Sequence, residues 1–356
     1  MGQFTSATLP KSGWLSYASM IAAVAYTMPS VHAWSGNTHS VVGAIAMGFL
    51  DQNGMRLVQQ LIGSNALYDA SSWAGYLQSR GKRYNQLHYY TESDITSTDS
   101  FYPSNFDVCR YNPERDCLNG KCLAGAVTKH TDAFQCARRQ SPQELSDALK
   151  FLVHYVADIG QPLLANGRGK STLHTIVFTV TWGMMDGKTK RVIFEGRSAS
   201  FLEVWDYYIP NNRINRDFRG NIMGYASYII SQIRGGGFTN IASTWAPQRH
   251  LYDKNDWGLS NTAIEWSIDS SRVACTLIWP QFDNMRSSDL GGYYYGASVQ
   301  VFDMQMAKSG YRLADYINRI AAMTTNGGQC VDFYSSAMSL SAVAGMTLPL
   351  LLSLAF

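Results

Sequence analysis

The chain has 356 residues, of which 46% are hydrophobic and 13% aromatic, a composition that can bury one large core or two smaller ones. The formal net charge of +3 is only weakly basic, and the lysines and arginines form no run. Charge alone therefore gives no argument for a nucleic-acid-binding surface.

The first 33 residues predict a secretory signal peptide. Lys11 supplies the positive flank, residues 19–28 are mostly apolar, and Val31-His32-Ala33 fits a small-residue cleavage site. Cleavage there makes Trp34 the mature amino terminus. A buried first helix is the structural alternative. Residues 1–6 also fit a myristoylation pattern, but a cytosolic lipid conflicts with secretion.

The carboxy-terminal segment, residues 326–356, predicts a spacer followed by a hydrophobic anchor signal. Residues 333–356 contain no charged side chain, and small residues at 335–337 precede an apolar end, a pattern typical of GPI attachment. A single membrane-spanning helix is the alternative, because this stretch is long enough to cross a bilayer. Both interpretations predict a protein of the secretory pathway, held at the cell surface with its domain outside.

Six cysteines follow the predicted signal peptide, and an even number in a secreted chain indicates disulfides. They are Cys109, Cys117, Cys122, Cys136, Cys275 and Cys330. A zinc–thiolate site is the alternative, and an oxidising compartment disfavours it.

Residues 34–325 predict a single, mainly helical domain without an internal linker or repeat. Apolar residues recur at helical spacing in seven regions, which are 40–62, 66–79, 142–160, 198–208, 219–234, 259–279 and 297–322. Residues 175–181 and 190–194 are instead β-branched and flank Asp186-Gly187, which predicts a small β-hairpin.

His154 and Asp158 are the strongest candidates for a metal site. They lie one helical turn apart in an apolar segment, so they share a face and have few partners other than each other or a metal ion. His39, His88 and Asp206 are further candidates. Taken singly, the helical pair also fits an ordinary ion pair, and each lone histidine also fits a structural role.

The order of these residues resembles the class I nucleases. These are the single-strand-specific, zinc-dependent nucleases of fungi and plants and the membrane-anchored 3'-nucleotidase/nucleases of protozoa. The resemblance runs from Trp34 to about Asn318. The segments that carry it are Trp34 with His39, Ala70-Ser71-Ser72-Trp73-Ala74, Leu87-His88-Tyr89, Asp116-Cys117 with Cys122, Val204-Trp205-Asp206, and residues 309–314.

This resemblance implies a single-domain helical fold of the phospholipase C/nuclease type, with a small β-hairpin and disulfides. It implies a bridge between Cys117 and Cys122 and another between Cys109 and Cys275. Cys136 and Cys330 then remain as a possible third bridge.

The resemblance also implies a zinc site. Trp34 and His39 would hold one ion, His88 and His154 a second, and Asp158 would bridge them as the catalytic carboxylate. Asp206 matches the one remaining ligand of a third ion. Tyr89 occupies the position of an aromatic residue that stacks on a base.

Several positions depart from the family pattern. A carboxylate and an arginine of the family are Gly75 and Gln78 here, and a carboxylate that reads the base edge is Thr91. Two histidines of the third zinc site are Leu164 and Leu202, and Gly160 replaces a further histidine. Neighbouring dications repel one another unless carboxylates offset their charge. We therefore predict fewer than three zinc ions, and at most one that is tightly held.

Two functions follow from these patterns. The first is a nuclease homologue that hydrolyses phosphoesters in single-stranded nucleic acid or 3'-nucleotides, with weakened or lost activity. The alternative is a catalytically inactive, surface-anchored binding or scaffold protein. A lipid phosphoesterase is a third class, suggested only by distant fold kinship with zinc phospholipases.

Overall fold

Helices form most of the part of the chain that the computed structural model describes. The described residues are 34–63, 66–71, 73, 111–120, 122–164, 168–169, 184–185, 190–246, 249–285 and 287–325. The predicted signal peptide and the predicted anchor signal lie outside these ranges. Within them, no helix is both long enough and apolar enough to cross a membrane.

The α-helices of the described residues are numbered in chain order. They are α1 (Gly36–Met47), α2 (Gln52–Ile62), α3 (Ala66–Ala70), α4 (Pro113–Asp116), α5 (Leu123–Gln135), α6 (Pro142–Ile159), α7 (Phe201–Glu203), α8 (Ile209–Asn212), α9 (Ile222–Gly235), α10 (Thr239–Ala242), α11 (Asn261–Val273), α12 (Trp279–Asp283) and α13 (Tyr293–Thr325). π-Helical turns are Val204–Tyr208, Arg213–Asp217 and Ala274–Ile278. 3-10 turns are Leu118–Gly120, Ala137–Arg139 and Ser243–Trp245.

Capping side chains set where the predicted helices begin. The region 40–62 divides into α1 and α2 because Asp51 accepts a hydrogen bond from the Gly54 amide and starts a new helix. Ser141 and Glu144 form a capping box at the start of α6. Ser200 and Glu203 form a second one, so the helix predicted over 198–208 begins at residue 201.

In the part of the chain that the structure describes, four short strands form two antiparallel pairs. Strand β1 (Arg168–Gly169) pairs with β2 (Met184–Met185), and β3 (Arg191–Phe194) pairs with β4 (Arg197–Ser200). The predicted strand at 190–194 is therefore confirmed, and its described partner is β4. Residues 175–181, its predicted partner, lie outside the described residues.

The turn between β3 and β4 is stabilised from a distant part of the chain. Glu195 and Gly196 both have positive φ, 51° and 74°, and their amides donate to the Asp289 carboxylate at 2.8 Å each. The Gly291 amide donates to the same carboxylate at 2.8 Å, and its hydrogen bond, together with those from Gly196 and Glu195, holds the pKa of Asp289 below its usual value.

Helix α13 forms the centre of the core. It packs against α1, α2 and α6. The segment 309–314 within it is structural, because Arg312 is buried and donates to the Trp245 carbonyl at 3.0 Å and to the Asp269 carboxylate at 2.6 Å. Gly310 lies against Ile45 of α1, where a Cβ atom would collide with the isoleucine side chain. This glycine therefore permits the close approach of the two helices.

The disulfide between Cys117 and Cys122 is present, as predicted. Cys136 and Cys275 are also disulfide-bonded, so none of the described cysteines is a free thiol. Cys109 and Cys330 lie outside the described residues, and the pairings that involve them stay predictions.

Replacing Gly310 with alanine tests the contact between α13 and α1. We expect Gly310→Ala to lower the free energy of unfolding by about 1–3 kcal/mol, because the added methyl group overpacks the interface. The matched control is Gly296→Ala in the same helix, where a Cβ atom meets nothing within 4 Å. We expect the control to change stability by less than about 1 kcal/mol. Urea unfolding measures both variants, and equal effects would contradict the proposed packing.

Candidate metal centre

Three of the predicted ligands form one buried cluster. His39 comes from α1, and His154 and Asp158 come from the last turns of α6. The His39 Nε2 atom lies 2.9 Å from Asp158 Oδ1, and the His154 Nε2 atom lies 3.1 Å from Asp158 Oδ2. The two imidazole rings are stacked, with centroids 4.5 Å apart. One carboxylate thus joins two imidazoles from different helices.

The orientation of His39 follows from the turn that precedes it. Its Nδ1–H donates to the Ser35 carbonyl at 3.3 Å, while Nε2 faces the Asp158 carboxylate. Both ring nitrogens therefore face acceptors. A cation between Nε2 and the carboxylate would be bound by both groups.

These side chains fit a divalent metal ion. One possible ligand atom from each of the three residues lies within 4.8 Å of the others. All three side chains are buried or nearly so. Two imidazole nitrogens and a carboxylate oxygen are a donor set that suits zinc. An anion in this dry setting is costly unless it is paired, so a bound cation would offset the burial of Asp158.

Trp34 lies beside this cluster. Its indole Nε1–H donates to the Ala157 carbonyl at 2.9 Å, and its fully buried ring packs edge-on against Phe302. Ala157 directly precedes Asp158. The side chain of the predicted mature terminus is therefore hydrogen-bonded to the helix turn that carries the carboxylate. The structure thus brings Trp34, His39, His154 and Asp158 together, and their action as ligands stays a prediction.

Asp206 has different surroundings. Its Oδ1 atom accepts a hydrogen bond from Gln161 Nε2 at 2.5 Å, and Gln161 Oε1 accepts from the Leu163 amide at 2.7 Å. Leu164 and Leu202, the positions of the two family histidines, are buried with 7% and 2% exposure. Among the described residues, this part of the site offers one carboxylate, which accepts from an amide, and two apolar side chains. That set of described side chains does not fit a zinc ion.

Gly160 occupies a position with no room for a side chain. A Cβ atom on this residue would collide with Ser309 Oγ of α13, and the Gly160 carbonyl accepts from Gln305 Nε2 at 2.8 Å. The space next to α6 is therefore occupied by α13.

The remaining predicted site residues lie outside the described residues. They are His88 and Tyr89 of the predicted ligand and base-stacking positions, and Gly75, Gln78 and Thr91 of the substituted ones. Within the nearby Ala-Ser-Ser-Trp-Ala segment, Trp73 packs on Phe151 of α6 at 5.2 Å between ring centroids. That contact places Trp73 against the helix that carries His154.

The role of Gln161 was not predicted from the sequence. Gln161 is completely buried and makes two hydrogen bonds, one of them to Asp206 across the site. The signal that could have found it is its polarity within an otherwise apolar segment next to Asp158.

Known proteins resemble this chain over most of its length. The family model of the S1/P1 nucleases matches residues 34–322. Nuclease PA3 of a Penicillium species and nuclease P1 of Penicillium citrinum are each 26% identical to it over 293 residues, which cover 81% of this chain and 97% of each relative. Endonuclease 2 of Arabidopsis thaliana is 24% identical over 310 residues, 83% of this chain and 93% of the relative.

The family match accounts for the described architecture as well as for the sequence motifs. The mainly helical fold, the short antiparallel hairpin and the Cys117–Cys122 bridge agree with the fold predicted from the sequence. The match extends over most of the chain and includes Trp34 and the three clustered residues. The chain therefore belongs to the S1/P1 nuclease family.

Proposed function

We propose that this protein is a zinc-dependent phosphoesterase that hydrolyses phosphodiester bonds in single-stranded nucleic acid or removes the phosphate of 3'-nucleotides. We propose further that it works more slowly than family members with a full ligand set. The observation that carries the proposal is the buried His39–Asp158–His154 cluster, in a chain whose relatives are named as nucleases.

The residues of the cluster would hold one ion in a fixed position. A bound zinc ion lowers the pKa of a water ligand and neutralises charge on phosphoryl oxygens. Asp158 presents one oxygen to each histidine, and the backbone carbonyl of Ser35 fixes the ring of His39. The buried indole of Trp34 covers the adjacent turn of α6 and keeps water from that side. We propose that Tyr89 stacks on a base of the substrate.

The expected loss of rate follows from the missing groups. Leu164 and Leu202 replace two imidazoles of the family pattern, and Gly75 and Gln78 replace a carboxylate and a cation of that pattern. Removal of one well-positioned electrostatic group commonly lowers kcat by about 10²–10³. Several such losses together favour slow hydrolysis.

The same losses support the second candidate, a catalytically inactive protein that binds nucleic acid, a nucleotide or another protein at the cell surface. In both cases we propose that residues 1–33 are a signal peptide, that residues 34–325 form the domain and that residues 326–356 direct membrane anchoring. These proposals rest on the sequence pattern.

Metal analysis of the secreted protein, with Trp34 verified as its amino terminus, tests the metal centre. We expect at most one tightly held zinc ion per chain, and we expect Asp158→Asn to lose it because the carboxylate between the two histidines is gone. Asp116→Asn is the control, because Asp116 is also buried but accepts from the Asn112 amide and is not one of the three clustered residues. Two or more zinc ions in the wild-type protein would contradict the proposal.

A hydrolysis assay separates the two candidate functions. Phosphate release from 3'-nucleotides and cleavage of single-stranded RNA would be measured with added zinc, beside nuclease P1 of Penicillium citrinum. We expect a rate at least about 10²-fold below that enzyme, and no rate for His154→Ala or Asp158→Ala. A wild-type rate equal to that of these two variants would favour the inactive binding protein.

A double substitution tests whether Leu164 and Leu202 account for the missing zinc ion. Leu164→His together with Leu202→His supplies two imidazoles next to the Asp206 carboxylate, so we expect the double variant to bind one zinc ion more than the wild type. Each single variant offers only one imidazole and serves as the control. An unchanged zinc count in a double variant that retains its helical circular dichroism would contradict this explanation.

A further inference from the structure

Asp206 contacts the amino-terminal turn through its backbone. The Ser35 amide donates to the Asp206 carbonyl at 3.1 Å. In a regular α-helix this carbonyl would accept from the residue four positions later, which is Pro210 and has no N–H. Asp206 also lies in the π-helical turn Val204–Tyr208, which interrupts the regular ladder. Its carbonyl can therefore accept from Ser35.

The contact continues from Ser35 to the candidate metal centre. The Ser35 carbonyl accepts from His39 Nδ1–H at 3.3 Å, and the same carbonyl accepts from the His39 backbone amide at 3.0 Å. A hydrogen bond on Nδ1 fixes which imidazole nitrogen can serve as a ligand and how the ring is oriented. The position of Ser35 thus determines how Nε2 of His39 faces Asp158.

The Asp206 side chain is held on its other side by Gln161. The amide of Gln161 is completely buried and donates to Asp206 Oδ1, while its oxygen accepts from the Leu163 amide. The second bond fixes which end of the amide faces Asp206. Gln161 follows α6 by two residues, so this bond ties the end of α6 to the π-helical turn.

We infer that Asp206 is a positioning residue rather than a metal ligand. Held by Gln161, it fixes the turn at Ser35 and thereby the ring of His39. At two positions where the family pattern has histidines, the described residues are the buried side chains of Leu164 and Leu202, which cannot bind a metal ion. The part of this inference that concerns zinc affinity rests on the proposed metal centre, whereas the part that concerns Ser35 does not.

Three variants test the inference. Asp206→Asn retains an oxygen that can accept from Gln161 but removes the charge. Asp206→Leu removes the acceptor, and Gln161→Leu removes the donor from the opposite side. The matched control is Tyr294→Phe, which deletes the buried hydrogen bond from Trp205 Nε1 to Tyr294 Oη at 3.0 Å. Trp205 precedes Asp206 in the same turn, but its indole bond does not lead to Ser35.

Zinc affinity by chelator competition is the first readout. We expect Asp206→Leu and Gln161→Leu to weaken zinc binding about 10–100-fold, the range for groups that orient a metal ligand, and to keep the same zinc count at saturation. Asp206→Asn is expected to keep the zinc count and to lose less affinity. Tyr294→Phe is expected to match the wild type. A lower zinc count in Asp206→Asn would overturn the inference, because it would make Asp206 a ligand.

Amide hydrogen exchange of the metal-free proteins is the second readout. We expect faster exchange of the Ser35 amide in Asp206→Leu and Gln161→Leu than in Tyr294→Phe. Equal exchange in all three would overturn the inference even if zinc binds normally. Absence of zinc from the wild-type protein would contradict the proposed metal centre alone, and the exchange rates would still decide the role of Asp206.

Discussion

The buried carboxylate of Asp158 is the interaction on which the rest of the site depends. A carboxylate this deep in apolar surroundings is stable only with close partners, and here the partners are the imidazoles of α1 and α6. The pairing requires the two helices to stay in register. Close packing of α13 on α1 at Gly310 and Ile45 supplies part of that rigidity. The chemistry of the cluster and the packing of the core are therefore one constraint.

Two neighbouring parts of the site have opposite character. Asp158 and the two histidines present nitrogen and oxygen atoms to a common point, which suits a cation. A few residues further along, Leu164 and Leu202 are buried, and Asp206 is bonded to an uncharged amide. An amide can satisfy one lone pair of a carboxylate but cannot replace the charge of a metal ion. This difference between the described residues supports the proposal of one ion rather than a set of them.

Local patterns in the sequence predicted the helices and the shared face of His154 and Asp158, because capping boxes and i, i+4 spacing involve only near neighbours. The prediction that His39 lies near Asp158 came from the family resemblance, because no sequence spacing relates His39 to α6. The described hairpin turn was missed. Asp186-Gly187 is a stronger local turn signal than Glu195-Gly196, but Asp289 stabilises the latter from a distant position. The bond between Gln161 and Asp206 is likewise non-local, and the family pattern pointed to metal binding instead.

Leu164 and Leu202, which replace two family histidines, have a consequence for folding. A metal ion that joins α6 to the following helix makes the fold there depend on the supply of that metal. Burial of Leu164 and Leu202 contributes roughly 1.5–3 kcal/mol each without any ion. The hydrogen bond from Gln161 to Asp206 also connects the end of α6 to the π-helical turn Val204–Tyr208. These described contacts stabilise this part of the fold without a metal ion, whereas the cluster around Asp158 places a buried anion where a cation fits. The exchange of ligands for leucines thus explains how this chain retains the fold of its family with fewer groups that can bind metal.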